Sequence, residues 1–317
     1  MRLCRFTQGS SPRASLFFDS TLVPLDAAAR LHHKHTHKEL ALPDGDDLLA
    51  LLPGGSHFAT ACEMSGWLAA NRDKADGVAL VVDKVQLLTP IARPPKIILL
   101  AGNYNEHIKE SGWRETERGK TFPYLFQKPP TTALNHPGAP IVIPKVSPNH
   151  VDWECELGVV IARRCKGVKE TDALSYVAGY TVVNDITDRK FRPNPGREKR
   201  ERDLFFDWQH GKWHDTFCPV GPCVTSADSL RDPQSLGLTL KVNGKTHQNG
   251  STAQMIFPVA AIIEFVSAIM TLEPGDIIST GTPAGIGNTT GTYLKPGDLV
   301  EAAIEGIGVL RNHMEAE

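Results

Sequence analysis

The chain contains no apolar run of about 18 residues, the length a membrane-crossing helix needs, so no membrane span is expected. Neither sign of charge dominates: 34 Lys and Arg stand against 36 Asp and Glu, for a net charge of -2. That balance excludes the basic footprint by which proteins hold nucleic acid or an anionic membrane surface. Six cysteines are scattered, with no C-x-x-C pair and no His/Cys cluster at zinc spacing. They read as reduced thiols, mostly core filler, of a reducing compartment. The opening MRLCRFTQGSSPRASLFFDS lacks the apolar stretch of a secretory leader, and a cytoplasmic protein is the expectation. No internal repeat, low-complexity block or G-x-S-x-G elbow occurs. GTPAGIGN, residues 281–288, is glycine-rich but lacks the Gly-Lys-Ser/Thr end of a phosphate loop. It reads either as a plain hairpin connection or as a turn offering Thr282 and backbone amides to a carboxylate.

What is present is a chain of 317 residues, 41% hydrophobic and 22% charged. That suffices for one large domain or two smaller ones. PIARPP, from Pro90 to Pro95, is a stiff joint without sheet donors. It divides a smaller N-terminal domain, 1–90, from a main domain, 91–317. The first part shows strands at Leu3 to Phe6 and Ser15 to Phe18, a helix from Ala59 to Asn71, and a strand in VALVVDKVQLL. The histidines at 32, 33, 35 and 37 lack an acidic or cysteine partner nearby and read as a solvated loop rather than a metal tract. From Lys96 on, short apolar runs alternate with Gly and Pro: KIILLAGNY, APIVIP, ECELGVVIA, AGYTVVND, GLTLKVNG, DIISTGTP, DLVEAAIEG and IGVLRN. This pattern predicts a β-rich α+β fold with a sandwich or barrel-like body. MIFPVAAIIEFVSAIM is the best helix, stopped by Leu272-Glu273-Pro274-Gly275.

DWECELGVV, residues 152–160, sets Glu154 and Glu156 on one strand face, beside a segment suited to burial. Two adjacent carboxylates repel, and burial adds a desolvation cost, unless a cation lies between them. A hard divalent ion with oxygen ligands meets that need. Asp185, at the end of the strand pattern GYTVVND, is the third candidate. The rival readings are a solvent-facing edge strand for the glutamates and turn chemistry for Asn-Asp. In AGNYNEHIKESG, Asn103 is placed to cap a helix. His107 and Glu110, three apart, share a face of its first turn. A Glu that fixes one imidazole nitrogen leaves the other free as a base. The rival is an exposed pair of small energetic weight.

Taken together, these stretches resemble the fumarylacetoacetate hydrolase family. GNYNEHIKES, FQKPPTTALNHPGAPIVIP, VDWECELGVVIA, GYTVVNDITDR, GKWHDTFCPVGP, QMIFPVAAIIEFVSAIMTLEPGDIISTGTPAGIG and LKPGDLVEAAIEGIGVLRN stand in family order. The resemblance implies a C-terminal mixed β-sandwich or roll with a smaller N-terminal domain, and a homodimer. It implies a metal triad of Glu154, Glu156 and Asp185 holding Mg²⁺, with Mn²⁺ or Ca²⁺ as substitutes. It implies His107 and Glu110 as the catalytic pair and Lys212 as a catalytic cation, with Lys128, Arg189 and Thr282 binding substrate. The implied reaction is hydrolysis of a C–C bond in a small 1,3-diketo acid, an acylpyruvate or a fumarylpyruvate-like compound. Isomerisation or decarboxylation of a related keto or hydroxy-dienoic acid, oxaloacetate-type, is the alternative. A non-catalytic binding protein retaining the fold is a reading of another class. Asp188 and Lys190 depart from the family pattern, which predicts rewired contacts around the metal. His214 replaces a frequent aromatic and reads either as a substrate contact or as a packing residue. RPNPGREKRERDLFFDWQHGK reads as a long basic loop with partial lid character.

Overall fold

Three runs that are apolar on both faces lie at the centre of the molecule, because a strand with no polar side must have protein on each. A computed structural model describes residues 1–9, 11–230 and 232–317. In it Cys155–Ile161, Val177–Asn184 and Cys218–Ser226 are buried along their whole lengths. They are adjacent and antiparallel in a twelve-stranded sheet. On one side the sheet continues through Ile277–Ser279, Ile97–Ala101 and Tyr124–Gln127. On the other it continues through Arg2–Thr7, Arg13–Phe18, Thr21–Pro24 and Leu80–Val81. The first residues of the chain therefore extend the same sheet: Arg2 pairs with Thr225 and Leu3 with Val224.

A second sheet of five strands runs Lys245–Ser251, Gly237–Val242, Leu299–Ile304, Gly308–Ala316 and Ile141–Ile143. Leu238, Leu240, Val300 and Ala302 recur with period two and form its buried face. They share one core with Leu157, Val159, Tyr180 and Val182 of the large sheet. The opposite face of the large sheet, with Val160, Ala178, Val183 and Val220, joins a second core. There Leu25, Ala28, Ala61, Met64 and Leu68 arrive on two helices, Leu25–Thr36 and Phe58–Ala70. The β-rich α+β expectation holds. Among the described residues, no helix is long and apolar enough to cross a membrane. All six cysteines are free thiols, and five of them are buried.

Three local expectations need correction. The histidine tract is not a loop: it is the second half of the helix Leu25–Thr36, which the good formers of LDAAAR start. His37, at φ 60°, ends it in the left-handed conformation. An acidic partner for His32 does exist, Glu63, with Oε1 at 3.5 Å from Nε2, but it comes from the neighbouring helix. VALVVDKVQLL is two short strands, Leu80–Val81 and Gln86–Leu88, because a 3-10 turn over Val82–Lys84 interrupts it. The segment expected as a basic loop carries a helix, Asp203–His210, braced by Arg197 on Asp203 and Asp207. Trp208 of that helix packs edge-on against Phe126 at 5.0 Å.

The central strands approach closely at Gly179, where an added Cβ would lie 2.4 Å from Thr225 O. Gly179→Ala should therefore force the two strands apart and destabilise the protein by about 1–3 kcal/mol. Denaturant unfolding measures this; an unchanged midpoint would show that the sheet absorbs the methyl group.

Candidate active site

Antiparallel pairing brings the three acids together. Cys155 faces Asn184 across the ladder, so Glu154 lies just before one strand and Asp185 just after its neighbour. The Asp185 N–H donates to Glu154 O at 2.8 Å, and Asn184 Oδ1 accepts from the Glu154 N–H at 3.0 Å. Carboxylate oxygens of Glu154, Glu156 and Asp185 lie within 4.8 Å of one another, and all three residues are buried. The edge-strand reading of the glutamates is thereby excluded, since their strand has a partner on each side.

Cations gather around these acids. Lys212 Nζ donates to Glu154 Oε2 and to Asp185 Oδ2, each at 2.6 Å. Its ammonium also faces the rings of Phe126 and Trp208, at 4.9 and 5.7 Å. Arg189 donates through Nη2 to Glu154 Oε1 and through Nε to Asp152 Oδ2, both at 2.8 Å. Burial alone would raise Glu154, but Arg189, Lys212 and His107 outweigh it and hold that carboxyl well below the usual range. Glu156 goes the other way. Burial, then the charges of Asp185 and Glu154, push it well above the ordinary 4.5. Oε2 of Glu156 accepts from Ser279 Oγ at 2.6 Å and from the Gly281 N–H at 3.0 Å. Burial works against the charge on Lys212, yet Asp185 and Glu154 raise it above its ordinary value.

The donor set suits a hard divalent cation. Four buried acids, Asp152, Glu154, Glu156 and Asp185, outnumber the cations Lys128, Arg189 and Lys212 set among them. Asp185 Oδ1 is buried in an ion pair with Lys128 Nζ at 2.6 Å. The same ammonium donates to Ile186 O and Phe217 O, at 2.6 and 2.5 Å. Three carboxylates crowded within 4.8 Å, one of them resisting ionisation, are a set that a hard divalent cation would relieve. Glu154, Glu156 and Asp185 would hold the ion.

His107 faces this cluster from the helix Asn105–Glu110. Its Nδ1 pairs with Glu110 Oε1 at 2.9 Å, and its Nε2 points to Glu154 Oε1 at 4.0 Å. Glu110 is held in turn: its Oε2 accepts from the Gly285 N–H at 2.9 Å. Gly285, at φ +104°, is a required glycine, since a Cβ there would lie 2.1 Å from His247 O. The capping role expected of Asn103 is corrected: the N-cap is Tyr104, without a side-chain bond. Asn103 instead ties loops together, donating to Phe257 O and Thr280 O and accepting from the Phe257 N–H. Its side chain is drawn off by backbone groups more than 150 residues away, which local spacing does not reveal.

The residues expected to grip substrate are otherwise engaged. Lys128 is buried beneath Asp185, with its donors used as described. Thr282 Oγ1 donates to Cys155 O at 2.9 Å and accepts from Gln248 Nε2 at 2.8 Å. The departures at Asp188 and His214 face each other: Asp188 Oδ2 and His214 Nε2 are 3.7 Å apart, with His214 edged against Phe191 and Phe217. Two residues that sequence reading missed complete the walls. Gln248 accepts from the Cys155 N–H at 2.9 Å and holds Thr282 and Pro283 O. Asp152 anchors Arg189; its signal was the acid at every second position, 152, 154 and 156.

Glu156 gives a pH prediction. Its folded value lies above its unfolded value of 4.5, so the folded state binds that proton more tightly. Without metal, this contribution to stability is lost as pH rises from 4.5 through the raised value. Glu154, being lowered, contributes the opposite slope, lost as pH falls below 4.5. Metal-free Glu156→Gln should therefore melt higher than the parent at neutral pH, and added Mg²⁺ or Mn²⁺ should stabilise it less. Calorimetric melting checks both; a lower Tm without metal would contradict the crowding argument.

The family profile described as fumarylacetoacetate (FAA) hydrolase C-terminal matches residues 96–315. The chain is 41% identical over 249 residues to a 2,4-didehydro-3-deoxy-L-rhamnonate hydrolase of Sphingomonas sp., covering 78% of this chain and 82% of that protein. It is 38% identical over 231 residues to the mitochondrial oxaloacetate tautomerase Fahd2a of Rattus norvegicus, covering 72% of this chain and 69% of the other. Among solved structures, maleylpyruvate hydrolase of Sphingobium sp. SYK-6, in complex with manganese (II) ion and pyruvate, superposes with a TM-score of 0.68 at 28% identity, covering 100% of this chain and 99% of that one. With a matched profile over most of its length and the acidic triad in place, the chain belongs to the fumarylacetoacetate hydrolase family of enzymes.

Proposed function

We propose that the protein is a Mg²⁺-dependent hydrolase that cleaves the C–C bond of a small 1,3-diketo acid, an acylpyruvate or a fumarylpyruvate-like compound. The observation that carries this reading is the aim of His107: Nδ1 fixed by Glu110, Nε2 free and directed at the buried triad. A reaction that must activate water needs such a base. A divalent cation, when bound by Glu154, Glu156 and Asp185, polarises the substrate ketone and stabilises the enolate leaving group. His107 Nε2 takes a proton from water, and the hydroxide oxygen bonds to the distal carbonyl carbon. The C–C bond then breaks, its electron pair going to the pyruvate-type enolate. The proton on His107 returns to that enolate, and a carboxylic acid leaves. Glu110 keeps the imidazole in one tautomer and stabilises its charged form. Lys212 holds developing negative charge beside Glu154 and Asp185. Arg189 and Thr282 are assigned to the substrate carboxylate; Thr282 would exchange its bond to Cys155 O for one to the ligand. Lys128 acts from beneath, as the fixed counter-charge of Asp185.

The resemblance to an oxaloacetate tautomerase supports a second reading, protonation of the enolate at another position without C–C cleavage. Such an isomerase, or an oxaloacetate-type decarboxylase, would use the same acids. The proposal also takes Mn²⁺ or Ca²⁺ as substitutes for Mg²⁺, a homodimer as the assembly and the cytoplasm as the location. A non-catalytic role is disfavoured by the intact acids, dyad and Lys212.

A screen of acylpyruvates, oxaloacetate and hydroxy-dienoates with Mg²⁺ separates these outcomes. Hydrolysis of an acylpyruvate is expected, and tautomerisation alone would establish the second reading. Glu154→Ala and Asp185→Ala should abolish both metal uptake and turnover. His107→Ala should keep metal affinity yet lose at least about 100-fold in kcat. Unchanged turnover by that variant would remove His107 as the base.

A further inference from the structure

We infer that Asp152 is a positioning residue that couples the base dyad to the metal carboxylates. The inference rests on the reading of His107 and the triad given above, and it concerns a residue that touches neither substrate nor metal. Asp152 is fully buried, and its two oxygens accept four hydrogen bonds. Oδ1 takes the Trp153 N–H at 2.8 Å and the Gly287 N–H at 2.7 Å. Oδ2 takes Arg189 Nε at 2.8 Å and the Asn288 N–H at 3.0 Å.

These bonds close a ring. Arg189 runs from Asp152 to Glu154 Oε1, and Glu154 Oε1 faces His107 Nε2. His107 is held by Glu110, and Glu110 by the Gly285 N–H and the Thr289 hydroxyl. Gly285 and Thr289 belong to the same turn whose Gly287 and Asn288 amides end on Asp152. One turn thus has the base's orienting carboxylate on one side and the arginine's anchor on the other. The approach is close: a Cβ on Gly287 would lie 2.8 Å from Asp152 Oδ1 and 2.0 Å from Thr292 O.

Two consequences follow from removing the Asp152 charge. The turn loses its acceptor, so Glu110 and His107 lose their fixed bearing. Arg189 is left with Glu154 as its anionic partner, and a guanidinium drawn onto that carboxylate competes with a metal ion for the same oxygen. Asp152→Asn keeps the shape and removes the charge. Its Mn²⁺ affinity, measured by titration calorimetry, should fall about 10–100-fold. Its kcat on the substrate found by the screen should fall by a similar factor, because the dyad and the carboxylates lose their fixed bearing.

The decisive measurement is a double-mutant cycle on Mn²⁺ affinity with Glu110→Gln. Two sites in one ring give non-additive losses, so the double variant should bind Mn²⁺ within about 3-fold of the weaker single variant. Losses that multiply, or a lowered Tm with Mn²⁺ affinity unchanged, overturn the coupling. Should Asp152→Asn fail to fold, Glu110→Gln alone decides: weaker Mn²⁺ binding supports the ring, and unchanged binding overturns it. If the parent binds Mn²⁺ but turns over no keto acid, the proposed reaction fails while these affinities still decide the coupling.

Discussion

The mutual repulsion of acids packed without water is the constraint on which the rest of the site depends. Glu154, Glu156 and Asp185 are brought within 4.8 Å by the register of two central strands. A fold meets such crowding with fixed cations, with an unionised acid, or with a bound ion. This protein uses the first for Glu154, which has Arg189 and Lys212 on its two oxygens. It leaves Glu156 with dipoles alone, Ser279 and the Gly281 amide. The imbalance is what a bound cation would relieve, and its location is set by backbone register rather than by loop conformation.

That register has support on both faces. Toward the second sheet, Leu157 and Val159 interdigitate with Leu238, Leu240 and Val300. Behind Glu154, Trp153 is fully buried and donates to Gly285 O at 3.1 Å, in the same turn that positions Glu110. The acids and the His107–Glu110 pair are therefore mounted on one continuous scaffold. Preorganised charges of this kind cost folding energy in advance and little during reaction.

Much of this was legible in the residues. The strands at 155–161, 177–184 and 299–304 announce themselves by apolar runs, and the helix after Pro258 by its length and its stop. The His107–Glu110 pair was readable from its spacing of three, and Asp185 from its place at a strand end. What escaped was long-range. Asn103 looked like a cap because a cap is local, whereas its partners lie at Thr280 and Phe257. The histidine tract looked like a loop because polar residues obscure a helix that Ala27, Ala28 and Leu25 bury on one side. Lys128 read as a ligand-facing cation, whereas its ammonium lies buried among Ile186 O, Phe217 O and Asp185, partners that local spacing does not reveal.

The pairing of Arg2–Thr7 with Cys218–Ser226 carries a consequence for any shortened form of the chain. Stripping away the leading strands would uncover backbone donors and acceptors at Val224 and Thr225 of a fully buried strand, an open template for another chain to join. The opening residues thus serve as a seal on that border, and excision of the acid-bearing portion alone would favour self-association.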